Sequence, residues 1–235
     1  VASSAAIFSR RVKERWMAAF PHAIFTDSIG ASETGFSGTA IQDDQNIKGQ
    51  GPLVNLGAQT LLLDEENNPI DLTQVGAIGR VARSGCIPIG YYKDPVKTAE
   101  TFITIDGVRY AVPGDFARVE EGGMVRLLGR GSNCINTGGE KVYPEEVEMT
   151  MKGHPEVYDV LVVGVTDETY GQAVSAVVQP RGESRPTLEE LRDYLRPHLS
   201  GYKLPRAVTY VDEIPRSATG KANYPQAREL ITEAH

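Results

Sequence analysis

The stretch "GRGSNCINTGGEKVYPEEVE" (129–148) divides the sequence into two parts of different texture. Before it, short β-type runs alternate with Gly, Asn and Pro turns, as in "AQTLLLD" (58–64) and the hairpin "DFARVEEGGMVRLLG" (115–129). After it, Pro144 begins a helix, and apolar strands then alternate with helical patterns, as in "VYDVLVVGV" (157–165). We therefore predict an α+β fold in two parts, a β-rich part at 1–129 followed by a small, complete α/β domain at 130–235.

Local signals at both ends of the chain support this division. Ser9 is a candidate N-cap for the helix "RRVKERWMAAF" (10–20), in which Val12, Trp16 and Phe20 recur every four residues and predict a core-facing stripe. Near the other end, Thr187 and Glu190 have the spacing of a capping box, which predicts a helix over "TLEELRDYL" (187–195), and two more elements follow it. These are a strand in "RAVTYVDEI" (206–214) and a closing helix in "PQARELITEA" (225–234).

Composition excludes several classes of function. The 235 residues carry a net charge of −7 and no block of Lys or Arg, which argues against nucleic acid or an anionic membrane as partner. The two cysteines, Cys86 and Cys134, are far apart, and the four histidines have no metal-ligand spacing. No apolar run is long enough to span a membrane, and the N-terminus lacks the pattern of a signal peptide. We expect a cytoplasmic protein, and the oligomeric state stays open, a homo-oligomer included.

One lysine, Lys221, lies in the turn "PRSATGK" (215–221) directly after a predicted strand. A phosphate-binding P-loop needs a glycine and a Ser or Thr at places that here hold Pro215 and Ala222, so that interpretation fails. A solvated surface lysine is the simplest alternative.

Seven stretches, in order, resemble the adenylate-forming enzymes, and most closely their acyl-CoA synthetase branch. They are "SSAAIFS" (3–9), "IGASE" (29–33), "GYYKDPVKTAETF" (90–102), "PGDFARV" (113–119), "GRGSNCINTGGEKVYPEEVE" (129–148), "GYKLPR" (201–206) and "PRSATGK" (215–221). The resemblance implies an AMP-forming acid–thiol ligase that uses ATP, Mg²⁺ and coenzyme A and acts on a small-molecule carboxylic acid. It also implies that 1–129 is the last part of a large AMP-binding domain and that 130–235 is a small mobile domain.

The resemblance implies roles for individual residues. Lys221 would be the catalytic lysine, which touches both the carboxylate and the phosphate oxygens as acyl adenylate forms. Glu33 would bind magnesium, a hard carboxylate ligand for a hard ion. The remaining positions would contact the nucleotide or coenzyme A, with Ser132 as hinge; they are Ser4, Ala5, Ile29, Gly30, Ser32, Asp115, Arg130, Gly138 and Gly139. Ile29 stands where the family has an aromatic residue, so it would cover adenine by apolar contact alone.

The family's phosphate loop lies upstream of "SSAAIFS", and this sequence contains nothing like it. We therefore expect a C-terminal fragment of a longer ligase, inactive without the missing N-terminal part of the same enzyme. The branch suggests a fatty or lipid-like acid, including a sterol side-chain acid. The alternatives are an adenylation domain that loads a carrier protein, and a non-catalytic binding module.

Overall fold

The computed structural model describes residues 2–3, 10–41 and 51–234. The chain divides after Gly131 into two compact units, built mainly from Lys13–Gly131 and from Ser132–His235. The predicted α+β class is confirmed, because both units combine a mainly antiparallel sheet with helices. No helix of the described residues is both long and apolar enough to cross a bilayer.

The first unit is organised around one sheet of ten described strands. The strands are β1 Ala2–Ser3, β2 Thr26–Ala31, β3 Gly35–Ile41, β4 Leu53–Leu56, β5 Thr60–Leu63, β6 Ile78–Arg83, β7 Phe102–Ile105, β8 Val108–Ala111, β9 Asp115–Val119 and β10 Val125–Arg130. Their order is β1-β2-β3-β4-β10-β9-β6-β8-β7, with β5 also paired to β6. The described pairs are antiparallel except β1 with β2.

Two helices accompany these strands, α1 Arg10–Ala19 and α2 Pro95–Thr101. Asp94 caps α2, since its side chain accepts from the Lys97 amide, and Pro95 opens the helix where a missing N–H costs nothing. The predicted hairpin over 115–129 is present as β9 and β10, joined by a turn in which Gly122 and Gly123 both have positive φ.

The prediction that Val12, Trp16 and Phe20 face the core is wrong. They are 40%, 43% and 52% exposed, although the helix itself forms. Among the side chains of α1 that the structure describes, Lys13 is the buried one, and its ammonium pairs with the buried Asp27 of β2. Periodicity identified the helix but selected the wrong face, since the ion pair of Lys13 and not the apolar stripe is buried.

The second unit has five described strands and three helices. The strands are β11 Ile135–Thr137, β12 Glu140–Val142, β13 Val157–Asp167, β14 Gly171–Pro180 and β15 Ala207–Tyr210, and the helices are α3 Pro144–Met151, α4 Leu188–Leu195 and α5 Tyr224–Ala234. The sheet order is β12-β11-β14-β13, with β15 parallel to β14. The predicted capping box at Thr187 is confirmed by both of its reciprocal hydrogen bonds.

Helices cover both faces of this second sheet, which explains the uninterrupted apolar run of β13. Val160 and Val162 pack in one cluster with α3 and α4, whereas Leu161 and Val163 pack in another with α5. A strand buried on both faces has no reason to alternate apolar and polar residues. This packing anchors β13 and α5, and the turn that carries Lys221 immediately precedes α5.

Candidate active site

The turn between β2 and β3 presents Ser32 and Glu33. Gly30 lies at a bulge in this hairpin, where a Cβ would come within 2.3 Å of the Gly35 carbonyl oxygen, so only glycine fits. Thr34 closes the turn, because its hydroxyl accepts from the Ala31 amide at 3.0 Å. Ser32 is exposed and Glu33 is partly exposed at the end of the hairpin.

Glu33 is held ionised by a neighbour from a distant part of the sequence. The Tyr91 hydroxyl donates to Glu33 Oε1 at 2.5 Å, and this bond is the main cause of the lowered pKa of Glu33. Arg130 and Lys97 lower the pKa of Glu33 further by charge, against the opposing effect of burial. The Lys97 ammonium lies 4.3 Å from the centre of the Tyr91 ring. Glu33 is therefore a carboxylate with one oxygen engaged by a neutral donor.

Asp115 and Arg130 are opposite each other at the ends of β9 and β10. They are paired in the sheet register, and Arg130 Nε donates to Asp115 Oδ1 at 3.3 Å. Burial raises the pKa of Asp115, Arg130 opposes that rise, and the negative charge of Glu33 adds to it. Glu33 and Asp115 thus lie close enough to repel each other, and Arg130 attracts both.

This cluster brings acidic and basic side chains together in the first unit. Two carboxylates and one arginine converge, and more than half of the Arg130 side chain is exposed. The described residues contain no group of three or more His, Cys, Asp or Glu that could hold a metal by themselves. Magnesium commonly binds through one or two carboxylates together with substrate phosphates, and the ionised Glu33 fits that manner of binding.

The structure bears differently on the predicted nucleotide contacts Ser4, Ala5 and Ile29. Ser4 and Ala5 lie outside the described residues. Ile29 is only 7% exposed and packs in the core with Val54 and Val81, so its side chain does not cover a ligand ring. The prediction for Ile29 is wrong on that point, because alternation along β2 turns its side chain into the sheet's core.

In the second unit, Gly138 and Gly139 form the two-residue turn between β11 and β12. Their φ values are +59° and +86°, the combination that a tight hairpin of this type requires. A Cβ on Gly139 would have no atom within 4 Å, while one on Gly138 would approach the Tyr170 ring at 3.3 Å. The positive φ values therefore explain why both positions hold glycine within this unit, whereas contacts of a Cβ with neighbouring atoms do not.

Ser132 and Gly131 lie where the chain passes from one unit to the other. Ser132 is exposed within a single 3₁₀ turn, Gly131–Asn133. Gly131 packs against the Phe116 ring, which a Cβ would meet at 2.5 Å.

Lys221 lies at the end of a tight turn, and its side chain is exposed. Its carbonyl accepts from the Ser217 amide at 2.8 Å, and its own amide donates to Ser217 Oγ at 3.2 Å. Among the residues described, no hydrogen bond or ion pair engages its ammonium. An open cavity of about 400 Å³ lies beside the turn, but its lining includes Asp212 and Glu213, which would repel an anionic nucleotide.

The sequence of this chain is similar to known proteins. Residues 146–221 match the model of the AMP-binding enzyme C-terminal domain. The whole chain is 53% identical to a medium/long-chain-fatty-acid–CoA/3-oxocholest-4-en-26-oate–CoA ligase of Mycobacterium tuberculosis, of which it covers 42%. Residues 146–221 therefore belong to the AMP-binding enzyme C-terminal domain family, and the chain as a whole is similar to acid–CoA ligases.

Two further comparisons give the same similarity. A 3-oxocholest-4-en-26-oate–CoA ligase of Rhodococcus rhodochrous is 53% identical over 97% of this chain and 41% of its own length. A crystal structure of ATP-bound MatB from Rhodopseudomonas palustris superposes with a TM-score of 0.80 at 27% identity, over 97% of this chain and 44% of that one. The chain therefore spans less than half the length of the curated relatives it matches.

Sequence reasoning missed Tyr91. The residue belongs to the stretch "GYYKDPVKTAETF", which carried the resemblance to adenylate-forming enzymes, yet no role was assigned to it. Nothing in the local pattern indicates that its hydroxyl reaches Glu33, 58 residues earlier. Long-range pairing of this kind follows from sheet topology.

Proposed function

We propose that this chain is the C-terminal part of an ATP-dependent acid–CoA ligase. Such an enzyme first joins a carboxylate to AMP and then transfers the acyl group to the thiol of coenzyme A. The observation that carries the proposal is the cluster of Glu33, Asp115 and Arg130, in a chain about half identical to acyl-CoA ligases over its whole length.

Residues of the first unit would hold the nucleotide. Glu33 would bind Mg²⁺ together with phosphate oxygens, with Ser32 as a hydroxyl donor to a phosphate and the Gly30 backbone alongside the nucleotide. When bound, the ion neutralises charge on the phosphates as pyrophosphate leaves. Asp115, a carboxylate with two acceptor oxygens, suits the paired hydroxyls of the ribose, and Arg130 contacts the nucleotide beside it.

Lys221 would stabilise the transition state of adenylation. A carboxylate and an α-phosphate repel each other, and a cation placed between them in a water-poor site offsets that repulsion by several kcal/mol. A lysine at the end of a turn, with a four-carbon side chain and an unengaged ammonium, suits this task. We assign 130–235 as a small mobile domain that carries Lys221, with Ser132 as its hinge, and 1–129 as the last part of the AMP-binding domain.

The Gly138–Gly139 turn would act in the second half-reaction. Neither glycine has a side chain, so a narrow pantetheine arm could pass close to the backbone. The positive φ values explain why glycine forms the turn, and the absent side chains would also leave room for coenzyme A.

The proposed substrate is a fatty acid or a sterol side-chain acid. The relatives from Mycobacterium tuberculosis and Rhodococcus rhodochrous carry those substrates in their names.

The test uses the full-length protein that contains this chain. With ATP and Mg²⁺ it is expected to catalyse pyrophosphate exchange that depends on dodecanoate, palmitate or 3-oxocholest-4-en-26-oate, and to form the matching CoA thioester, seen by mass spectrometry. Oxalate serves as the control acid and is expected to support neither reaction. Absence of exchange with all three lipid acids would contradict the proposal.

The 235-residue chain alone is expected to be inactive, since it spans only about two fifths of the related ligases. Acid-dependent release of pyrophosphate by the purified chain would refute that part of the proposal.

A further inference from the structure

The turn that carries Lys221 is held closed at its base. Arg216 and Ala222 form an antiparallel bridge, and the Gly220 amide donates to the Ser217 carbonyl at 2.8 Å. Gly220 has a φ of +80°, which permits this tight reversal. These bonds fix the shape of the turn, but they do not attach it to the rest of the unit.

Arg216 provides that attachment. One end of its guanidinium donates to the Gly220 carbonyl at 3.1 Å, directly before Lys221, and the other end pairs with Asp159 of β13. The other oxygen of Asp159 pairs with Lys152 at 2.8 Å. Because β13 is buried on both faces, Arg216 connects the end of the turn to a strand that packs in both core clusters of the unit.

We propose that Arg216, anchored by Asp159, is a positioning residue that fixes the direction in which the Lys221 side chain leaves the turn. This inference rests on the function proposed above. The planar guanidinium binds two acceptors at once in a set geometry, which an ammonium at the end of a flexible chain does not reproduce.

The surroundings of Asp159 favour its charged form. Burial alone would raise the pKa of Asp159, but Lys152 and Arg216 more than offset that effect and hold the pKa below its ordinary value. The Asp159 side chain is only 16% exposed, whereas the Arg216 side chain is 37% exposed. The ion pair is therefore largely buried at the carboxylate and borders water at the guanidinium.

The first experiment separates positioning from general damage in the full-length enzyme. Arg216→Met is expected to lower kcat for adenylation about 10- to 100-fold, since a misplacement of about 1 Å costs that much. KM for ATP and acid should change little, and thioester formation from supplied acyl adenylate should be unaffected. Arg181→Met is the matched control, because Arg181 also contacts β13, at the Val157 carbonyl, but lies outside the turn. Equal loss in both half-reactions, or wild-type adenylation in Arg216→Met, would overturn the proposal.

Two further variants test the anchor itself. Asp159→Asn is expected to slow adenylation as Arg216→Met does, and the double variant should be no slower than Arg216→Met alone, because the two residues act as one unit. Arg216→Lys keeps a single contact and should restore part of the rate. Additive losses in the double variant would show that Asp159 acts independently of Arg216, against the proposal.

A measurement without catalysis keeps this inference separate from the proposed function. In the 235-residue chain, ¹⁵N relaxation should show rigid amides at Gly220 and Lys221, and order parameters below about 0.6 there in Arg216→Met but not in Arg181→Met. An unchanged turn would overturn the inference even if the wild-type enzyme is an active ligase. A mobile turn in Arg216→Met would support it even if the full-length enzyme shows no exchange with the acids tested.

Discussion

Glu148 is a buried carboxyl whose titration should control the stability of the second unit. It is 2% exposed and lies on α3, where its Oε1 accepts from the Val162 amide at 2.9 Å. That amide belongs to β13, which has no strand on its outer side within the described residues. The Tyr224 hydroxyl donates toward Oε2 at 3.4 Å. Glu148 therefore satisfies a buried backbone group at an open sheet edge.

The size of the effect follows from the pKa of Glu148. Burial raises it from 4.5 to about 8, although Lys152 and the Val162 amide lower it in part. Between these two values the folded state holds a proton that the unfolded state has released, so stability falls as pH rises. Each pH unit costs about 1.4 kcal/mol, which amounts to about 3 kcal/mol between pH 5 and pH 7.

The substitution Glu148→Gln removes the titration and keeps a carbonyl oxygen for the Val162 amide. Relative to wild type, the variant should gain up to about 3 kcal/mol between pH 5 and pH 7, measured as the opening free energy of β13 amides by hydrogen exchange. Glu229→Gln, at an exposed position on α5, is the control and should show no such trend. A difference between Glu148→Gln and wild type that stays constant with pH would refute the argument, because it would mean that Lys152 keeps Glu148 ionised.

Three other substitutions test separate features. Tyr91→Phe removes the hydrogen bond that orients the Glu33 carboxylate, so Mg²⁺-dependent ATP binding by the full-length enzyme should weaken several-fold in calorimetry, and unchanged affinity would argue against Glu33 as the magnesium ligand. Gly139→Asn introduces a side chain but uses a residue type that tolerates positive φ, so the turn should still form. The variant should slow CoA transfer in a thioester assay without slowing adenylation, and normal transfer would remove Gly139 from the mechanism. Lys13→Met leaves Asp27 buried without this partner and should cost about 3–5 kcal/mol in denaturant unfolding, whereas a loss under 1 kcal/mol would mean that water reaches Asp27.

Local sequence signals predicted the elements of the second unit well. The apolar run of β13, Pro144 at the start of α3 and the capping box at Thr187 each act over a few residues, so the sequence shows them directly. The hairpin of β9 and β10 was equally visible, because two glycines closed it.

What the sequence could not show depends on contacts between distant residues. Lys13 pairs with Asp27 and Tyr91 with Glu33, and in each case topology selects the partner. Ile29 stands where the family has an aromatic residue, yet its side chain faces the core, which depends on the pleat of β2 against its neighbours. Arg216 was visible as part of a motif, yet its tether to Asp159 joins residues 57 positions apart.

The role of Lys221 is tested most directly by measuring the two half-reactions separately in the full-length enzyme. In Lys221→Ala, acid-dependent ATP–pyrophosphate exchange should fall by orders of magnitude, while conversion of supplied acyl adenylate to the CoA thioester should continue at nearly the wild-type rate. Equal loss of both half-reactions, or exchange at the wild-type rate, would contradict the account.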